Sequence, residues 1–525
     1  MATRAKKPAE TAATNGRLIP PKGGAAVRMY RIGHGDCFLI AFDGQANDPA
    51  YVLIDCGYKP GSPQFINTTS KEIAADILAA TGGHVDVAVL THEHQDHLNA
   101  ITKTNFDDLE IGETWCAWTE DPDDDLANDL RKRFKDKLLG LVAARNRLSA
   151  AGDAKRVERL DDLLAFELGG DDPLFDATAA GALLATAAAD SKNKQAMKLF
   201  KDKAKKGVKF IRPHQRILRI PKADGVRVFA LGPPHDTDLL ATLDPTGDEE
   251  FGLARVTRSA IGHFAAAVLA AEGKAPPDVP FASRYAAPWD PALEGDEPDS
   301  PFFSAYYGKE GDPPASPPSS ANVESVPEVT NPEWRRIDKD WLYASDQLAL
   351  DMNDQTNNSS LVLAFEIGEE GKVLLFAADA QRGNWLSWSK KEFADGNKTV
   401  TAKSLLSRTV LYKVGHHGSH NGTLNGRAAD GYTNLSWMAE GDHAREFCAM
   451  ITAVRAWAET QKGWDHPLKA IKDALLKKSG GRVFQTDTDV SKMAMVNGGS
   501  AVEWKSFQER TTGTRLYFDY RIEGS

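Results

Sequence analysis

Val87-Ala-Val-Leu-Thr-His-Glu-His-Gln-Asp-His97 is the stretch that decides the fold. Val87 to Leu90 are apolar or small and read as a short buried strand. The next seven residues, Thr91 to His97, hold three imidazoles and two carboxylates. Side chains of this kind need polar partners when buried, and one divalent cation satisfies several at once. Imidazole and carboxylate are ligands suited to zinc, manganese or iron. His92 and His94 are two apart, so in extended backbone both point the same way and can grip one ion. Asp96 and His97 follow where the chain turns and aim at a neighbouring point, so one loop can serve two adjacent metals.

Working outward, the same grammar recurs. Val410-Leu-Tyr-Lys-Val-Gly-His416-His417-Gly-Ser-His420 is a second strand ending in histidines. Six of the chain's 13 histidines lie in these two stretches. Val373-Leu-Leu-Phe-Ala-Ala-Asp379 and Tyr51-Val-Leu-Ile-Asp55 are further apolar strands, each ending in an acid. Ligand sites of α/β folds collect at such strand ends. Val27–Ile32 and Cys37–Phe42 read as strands joined by a tight Gly33-His-Gly-Asp36 turn, with His34 and Asp36 as candidates for the edge of the site.

The motif His92-Glu-His94-Gln-Asp96-His97 resembles the HxHxDH signature of the metallo-β-lactamase superfamily. The flanking pieces resemble one branch, the soluble hydrolase domain of bacterial competence DNA-uptake channels. They are Arg31–Ile40, Val52–Gly57, Asn357–Leu363, Phe376–Asp379, Lys413–Ser419, His466-Pro467 and Val483–Asp487. The match covers roughly residues 27–104 and 355–490. It implies a four-layer αββα sandwich and two divalent metal ions, zinc or manganese. By resemblance, His92 and His94 hold the first, Asp96 and His97 the second, Asp379 bridges them, and His416 completes the second site. A metal-activated hydroxide would attack the substrate, and Asp96, Asp55, His417 and His420 are the candidate catalytic residues. Asp55 would orient a ligand imidazole; His417 or His420 would replace His416 on a metal, contact substrate or protonate a leaving group.

Two departures from the family stand out. The branch usually carries Gln where His34 sits. The superfamily's Gly-His-Thr histidine, third ligand of the first metal, is absent; the corresponding stretch is Asp354-Gln-Thr-Asn-Asn-Ser-Ser360. Asn357 or Asn358 offers an amide oxygen there, and an oxygen-rich first site leans towards manganese.

Composition sets the outer limits. The chain has 525 residues, too long for one ordinary domain, and is 42% hydrophobic and 26% charged, a globular balance. No apolar run is long enough to span a bilayer, so no membrane partner is expected. A net charge of −11 argues against broad attraction to nucleic-acid backbone, while leaving room for a local basic groove. The four cysteines form no CxxC pair and fit reduced thiols of a cytoplasmic protein.

The chain divides into a disordered tail (1–26), the N-terminal half of the fold (27–106), an insertion (107–345) and the C-terminal half (346–525). Within the insertion, 124–148, 157–168 and 182–206 read as helices, with strands at 208–211, 216–220 and 226–231. A Pro/Ser-rich loop at 310–320 follows. His214 and His235 are candidate extra ligands in this region. Ser70–Ala80 and His466–Lys478 read as helices, and 501–507 and 515–522 as late strands.

Three functions compete on this evidence. The leading one is a metal-dependent phosphodiesterase or nuclease, with nucleic acid as a candidate substrate. The second keeps the centre but takes a small ester, lactone or β-lactam. The third is a binding or scaffold protein with a degenerate metal site.

Overall fold

The computed structural model describes residues 16–150, 191–213, 216–251, 345–461 and 464–524, with a few positions between 152 and 164. His214, the 310–320 loop, most of 157–168 and the tail 1–15 lie outside the described residues.

Seventeen strands are described: β1 (Ala25–Tyr30), β2 (Phe38–Phe42), β3 (Ala50–Ile54), β4 (His84–Leu90), β5 (Glu110–Ala117), β6 (Val208–Ile211), β7 (Leu218–Ile220), β8 (Ala223–Gly232), β9 (Val362–Ile367), β10 (Lys372–Phe376), β11 (Glu392–Asp395), β12 (Lys398–Thr401), β13 (Thr409–Lys413), β14 (Cys448–Ile451), β15 (Val483–Gln485), β16 (Thr511–Gly513) and β17 (Tyr517–Ile522). They form a mixed α/β fold around two large sheets. The eight-stranded sheet runs β16-β17-β1-β2-β3-β4-β5-β6, and the seven-stranded sheet runs β15-β14-β13-β10-β9-β8-β7. β3 to β6 are parallel neighbours, as are β10, β13, β14 and β15, and the remaining pairs are antiparallel.

One apolar cluster draws on both sheets: Val27, Ile40, Val52, Val87 and Val89 from the first meet Val228, Phe365, Leu374, Leu411 and Met450 from the second. The other faces meet helices. Ala88 and Leu90 pack with Ile73 and Ile77 of the helix Ser70–Thr81 and with Phe200 of the helix Lys192–Lys203. Leu375 and Tyr412 pack with Trp385, Leu405 and Leu475 from three further helices. β4 is therefore buried on both faces, which is why it reads as a continuous apolar run instead of an alternation. Each such Val or Leu contributes roughly 1.5–3 kcal/mol by leaving water.

The parallel order puts the C-terminal ends of β3, β4, β10 and β13 on one edge of the fold. Those ends carry Asp55, the His92–His97 loop, Asp379 and the His416–His420 loop.

Several boundaries differ from the sequence reading. The 107–345 span is not all insertion, because β5 and β6 extend the first sheet and β7 and β8 the second. The tail ends earlier than residue 26: Leu18 is buried, its N–H donates to Ala80 O at 2.9 Å, and β1 begins at Ala25. Residues 501–509 form a helix, not a strand, with Ser500 capping it by accepting from the Glu503 N–H. The helix at Ser70 is capped by Thr69 in a reciprocal box with Glu72. All four cysteines are free and buried. No helix among the described residues is long and apolar enough to cross a membrane.

Candidate metal centre

Sharp backbone turns deliver each polar side chain at its strand end. Asp55, Ala378, His416 and His417 all have positive φ, between 45° and 51°. This left-handed conformation costs a non-glycine residue about 1 kcal/mol or more, and such strain gathers at functional sites. The loops press closely together as well. A Cβ on Gly57 would collide with the backbone of His97 and Leu98. Only glycine lets the end of β3 lie against the histidine loop.

Two adjoining sets of donors result, with the His92 and His97 ring centroids 4.1 Å apart. The first set is carboxylate-rich. Asp96, His97, Asp379 and His417 each bring one ligand atom, all within 4.8 Å of one another, and all four residues are buried. His97 Nε2 lies 3.2 Å from Asp379 Oδ2, and His417 Nε2 lies 3.3 Å from the same oxygen. His417 Nε2 is 3.1 Å from Asp96 Oδ2. Ligands bound at 2.0–2.1 Å around a tetrahedral ion stand about 3.3 Å apart, so this spacing fits a metal. His97 Nε2 and Asp96 Oδ1 are buried with no hydrogen-bond partner. Their contacts are ionic, His97 Nε2 with Asp379 Oδ2 at 3.2 Å and with Asp96 Oδ1 at 4.0 Å, and a cation would satisfy both atoms.

The second set is poorer in charge. His92 Nε2 lies 3.1 Å from His94 Nδ1, and His94 Nδ1 lies 2.8 Å from Asn357 Oδ1. Asn357 Nδ2 donates to His416 Nε2 at 3.2 Å. His416 therefore sits beside this set, with its Nδ1 against Asn421 Oδ1 at 3.0 Å. His417 occupies the place beside Asp96 and Asp379 that the sequence reading gave to His416. Asn357 is the amide at the site. Asn358 is consumed structurally: its Nδ2 donates to the carbonyls of Leu239, Leu240 and Thr242, and its Oδ1 accepts from the N–H groups of Gln381 and Asn384.

Surrounding groups hold the donors in place. Asp55 accepts from His97 Nδ1 at 2.8 Å, from Thr91 N–H at 2.9 Å and from Thr91 Oγ1 at 2.6 Å, leaving His97 Nε2 for the centre. Asp55 thus orients the His97 imidazole, with Nδ1 engaged. Asp36 accepts from Lys413 Nζ at 2.5 Å and from Thr452 Oγ1 at 2.6 Å. His417 Nδ1 packs against Thr452 Oγ1 at 3.0 Å. Lys413 also reaches Asp379 Oδ1 at 3.4 Å, and Lys59 reaches Asp96 Oδ2 at 3.4 Å. Ser360 Oγ accepts from the Asp379 N–H and contacts His92 Nδ1, both at 3.2 Å.

The electrostatics follow from this packing. Burial opposes a charge on His97, yet Asp379, Asp36 and Asp55 hold its pKa well above the usual imidazole range. Burial likewise opposes a charge on His417, yet Asp379 and Asp96 raise it to about 9. Burial pushes Asp96 and Asp379 upward, but Lys59, His417, His97 and Lys413 hold both well below the usual carboxylate range. On the other side, burial lowers His92 and His416.

His420 and His235 stand apart from both sets. His420 pairs with Asp244 at 3.1 Å, and His235 with Asp124 at 3.0 Å. Four residues at or beside the centre escaped the sequence reading as site residues: Lys59, Lys413, Ser360, and His466, whose ring lies 5.8 Å from that of His416. Lys413 had a signal, a lysine closing an otherwise apolar strand. His466 had one too, an imidazole placed before a proline.

Neither protein-family models nor curated proteins gave a match to this chain.

Proposed function

We propose that this protein is a metal-dependent hydrolase of phosphodiesters, built on the four-layer αββα sandwich of the metallo-β-lactamase type, with nucleic acid among its candidate substrates. One observation carries the reading: buried imidazoles and carboxylates from both halves of the chain meet edge to edge, with one ligand atom each from Asp96, His97, Asp379 and His417 within 4.8 Å of one another. Asp96, His97, Asp379 and His417 would hold one divalent ion, and His92, His94 and Asn357 the other. Divalent ions at such a centre supply Lewis acidity and lower the pKa of water towards about 7.

The chain's own residues do the rest. Asp55 and Thr452 lock the His97 and His417 rings with one nitrogen aimed inward. Lys413 holds one oxygen of Asp379, so the other faces the centre. Lys59, beside Asp96, adds positive charge where a phosphate would approach. Zinc suits the nitrogen-rich members of both sets, and the amide oxygen of Asn357 favours manganese at the second.

The test is hydrolysis of bis(p-nitrophenyl) phosphate and of single-stranded DNA by protein loaded with manganese or zinc. Asp96→Ala and Asp379→Ala should abolish it. Metal-loaded protein inert on both substrates but active on a lactone or β-lactam would replace the substrate claim. Metal content below one ion per chain, with stability unchanged by chelation, would end the enzyme reading.

A further inference from the structure

His34 and His466 come from opposite ends of the chain and meet beside the centre. Their rings stack at 5.5 Å between centroids, with an interplanar angle of 22°. His34 lies 4.8 Å from the His417 ring, and His466 lies 5.8 Å from the His416 ring. Trp457 and Trp464 pack against the pair at 5.0 and 4.9 Å. His34 is fully buried, while His466 and Trp464 are half-buried at the outer side.

Backbone bonds hold both residues firmly. The His34 N–H donates to Ser62 Oγ at 2.8 Å, and its carbonyl accepts from the Lys59 N–H at 2.7 Å. Leu468 N–H donates to Gly418 O at 2.8 Å, which pins the segment carrying His466 to the loop carrying His417.

The hydrogen bonds between them run in one direction only. The Val454 backbone N–H points at His34 Nδ1, 3.3 Å away, and an amide can only donate. His34 Nδ1 is therefore the acceptor, and its proton sits on Nε2. His34 Nε2 lies 3.4 Å from His466 Nδ1, so it donates there. His466 in turn carries its proton on Nε2, the nitrogen with no hydrogen-bond partner among the described residues.

We propose that His466 is a catalytic residue of this centre. Its Nε2–H, fixed in that tautomer by the Val454 amide acting through His34, donates a hydrogen bond to a phosphoryl oxygen of the substrate. This rests on the phosphodiesterase reading above. Charge builds on such an oxygen during attack, and a donor held in a fixed tautomer beside the centre can stabilise the transition state with little reorganisation. His34 is a positioning residue.

The experiment uses full-length, zinc-loaded protein labelled with nitrogen-15 at histidine, with the His466 signal assigned from His466→Gln. His466 is expected as the Nε2–H tautomer, and inorganic phosphate is expected to shift that signal. On bis(p-nitrophenyl) phosphate, His466→Ala should lower kcat roughly a hundredfold with KM little changed. His466→Gln, which keeps a donor, should recover most of this, and zinc content should be unaltered in both. His34→Phe should mix the His466 tautomers and lower kcat less than His466→Ala does. An Nδ1–H tautomer at His466, a signal indifferent to phosphate, or loss of zinc in His466→Ala would each overturn the proposal. So would unchanged kcat in His466→Ala. If wild-type protein cleaves no diester, the functional reading fails by itself, and the tautomer and the phosphate response still decide the role of His466.

Discussion

The two halves of the centre differ in what neutralises them. Around Asp96, His97, Asp379 and His417 the donors are acids and imidazoles held together by ion pairs, two of them to the lysines Lys59 and Lys413. Around His92, His94 and Asn357 they are imidazoles and an amide joined by hydrogen bonds, with no carboxylate among them. The first half attracts a cation with charge; the second offers lone pairs and little charge. The difference teaches that the halves should load unequally, the carboxylate half first and more tightly. Zinc titration followed by elemental analysis should give one ion that survives extensive dialysis and a second that does not.

The largest effect should come from removing the acid shared by the first half. Asp379→Ala strips a carboxylate from His97, His417 and Lys413 together. It should abolish tight metal binding and, with the ion gone, hydrolysis too. Retention of the tight ion in this variant would reverse the assignment of the two halves.

Protons sharpen the same contrast. His417, raised to about 9, and His97, raised in the same direction, hold protons in the chelated protein at neutral pH. A metal must displace them, so binding should release about one to two protons per chain at pH 7.5. Buffer-dependent calorimetry measures this. The sign for stability follows. A raised imidazole pKa stabilises the fold fully below about 6.5 and loses that contribution as pH rises through the folded value, here about 9 for His417. The melting temperature of chelated protein should fall across that window, while metal affinity rises. No pH dependence of proton release would show that His97 and His417 do not meet the metal.

Asp55→Asn should act less strongly. The amide has one acceptor oxygen where the carboxylate has two, so it cannot serve both the Thr91 N–H and His97 Nδ1. A ten- to hundredfold fall in affinity for the first ion is expected, with the fold intact. Asn357→Ala should spare the first ion altogether and weaken only the second, read by the same titration. If both ions weaken together, the halves are one cooperative unit.

Much of this centre was legible in the sequence because strand ends announce themselves. Apolar runs such as Val87–Leu90 and Val373–Phe376 stop abruptly at ionisable residues, and parallel strands bring such ends to one edge. Four of the six expected ligands, Asp96, His97, His92 and His94, come from one loop, so their proximity needed no tertiary information. The choice between His416 and His417 was not legible. Adjacent residues of the same kind differ only in backbone dihedrals, and both have positive φ here, which no residue-type preference foretells. The 501–509 helix was misread because Val502-Glu-Trp-Lys505 alternates like a strand. Its real anchors are the Ser500 cap and the Trp504–Phe507 contact, a helical i,i+3 pair. β5 to β8 were assigned to an insertion because the known signature says nothing of the chain between the two histidine stretches.

The smallest effect should fall on the histidine that looked most like a ligand by position alone. His420 closes the second histidine stretch, yet its Nε2 points to Asp244 at 3.1 Å and its side chain is 38% exposed. An ion pair that solvated contributes at most about 1 kcal/mol. His420→Ala should therefore bind both metals as wild type does and keep hydrolysis within about threefold, a change below roughly 0.7 kcal/mol. The result bears on the comparison of the two halves, because neither set of donors includes this ring. A loss of either ion in His420→Ala would mean that Asp244 and its loop close over the centre and complete one half of it when metal is bound.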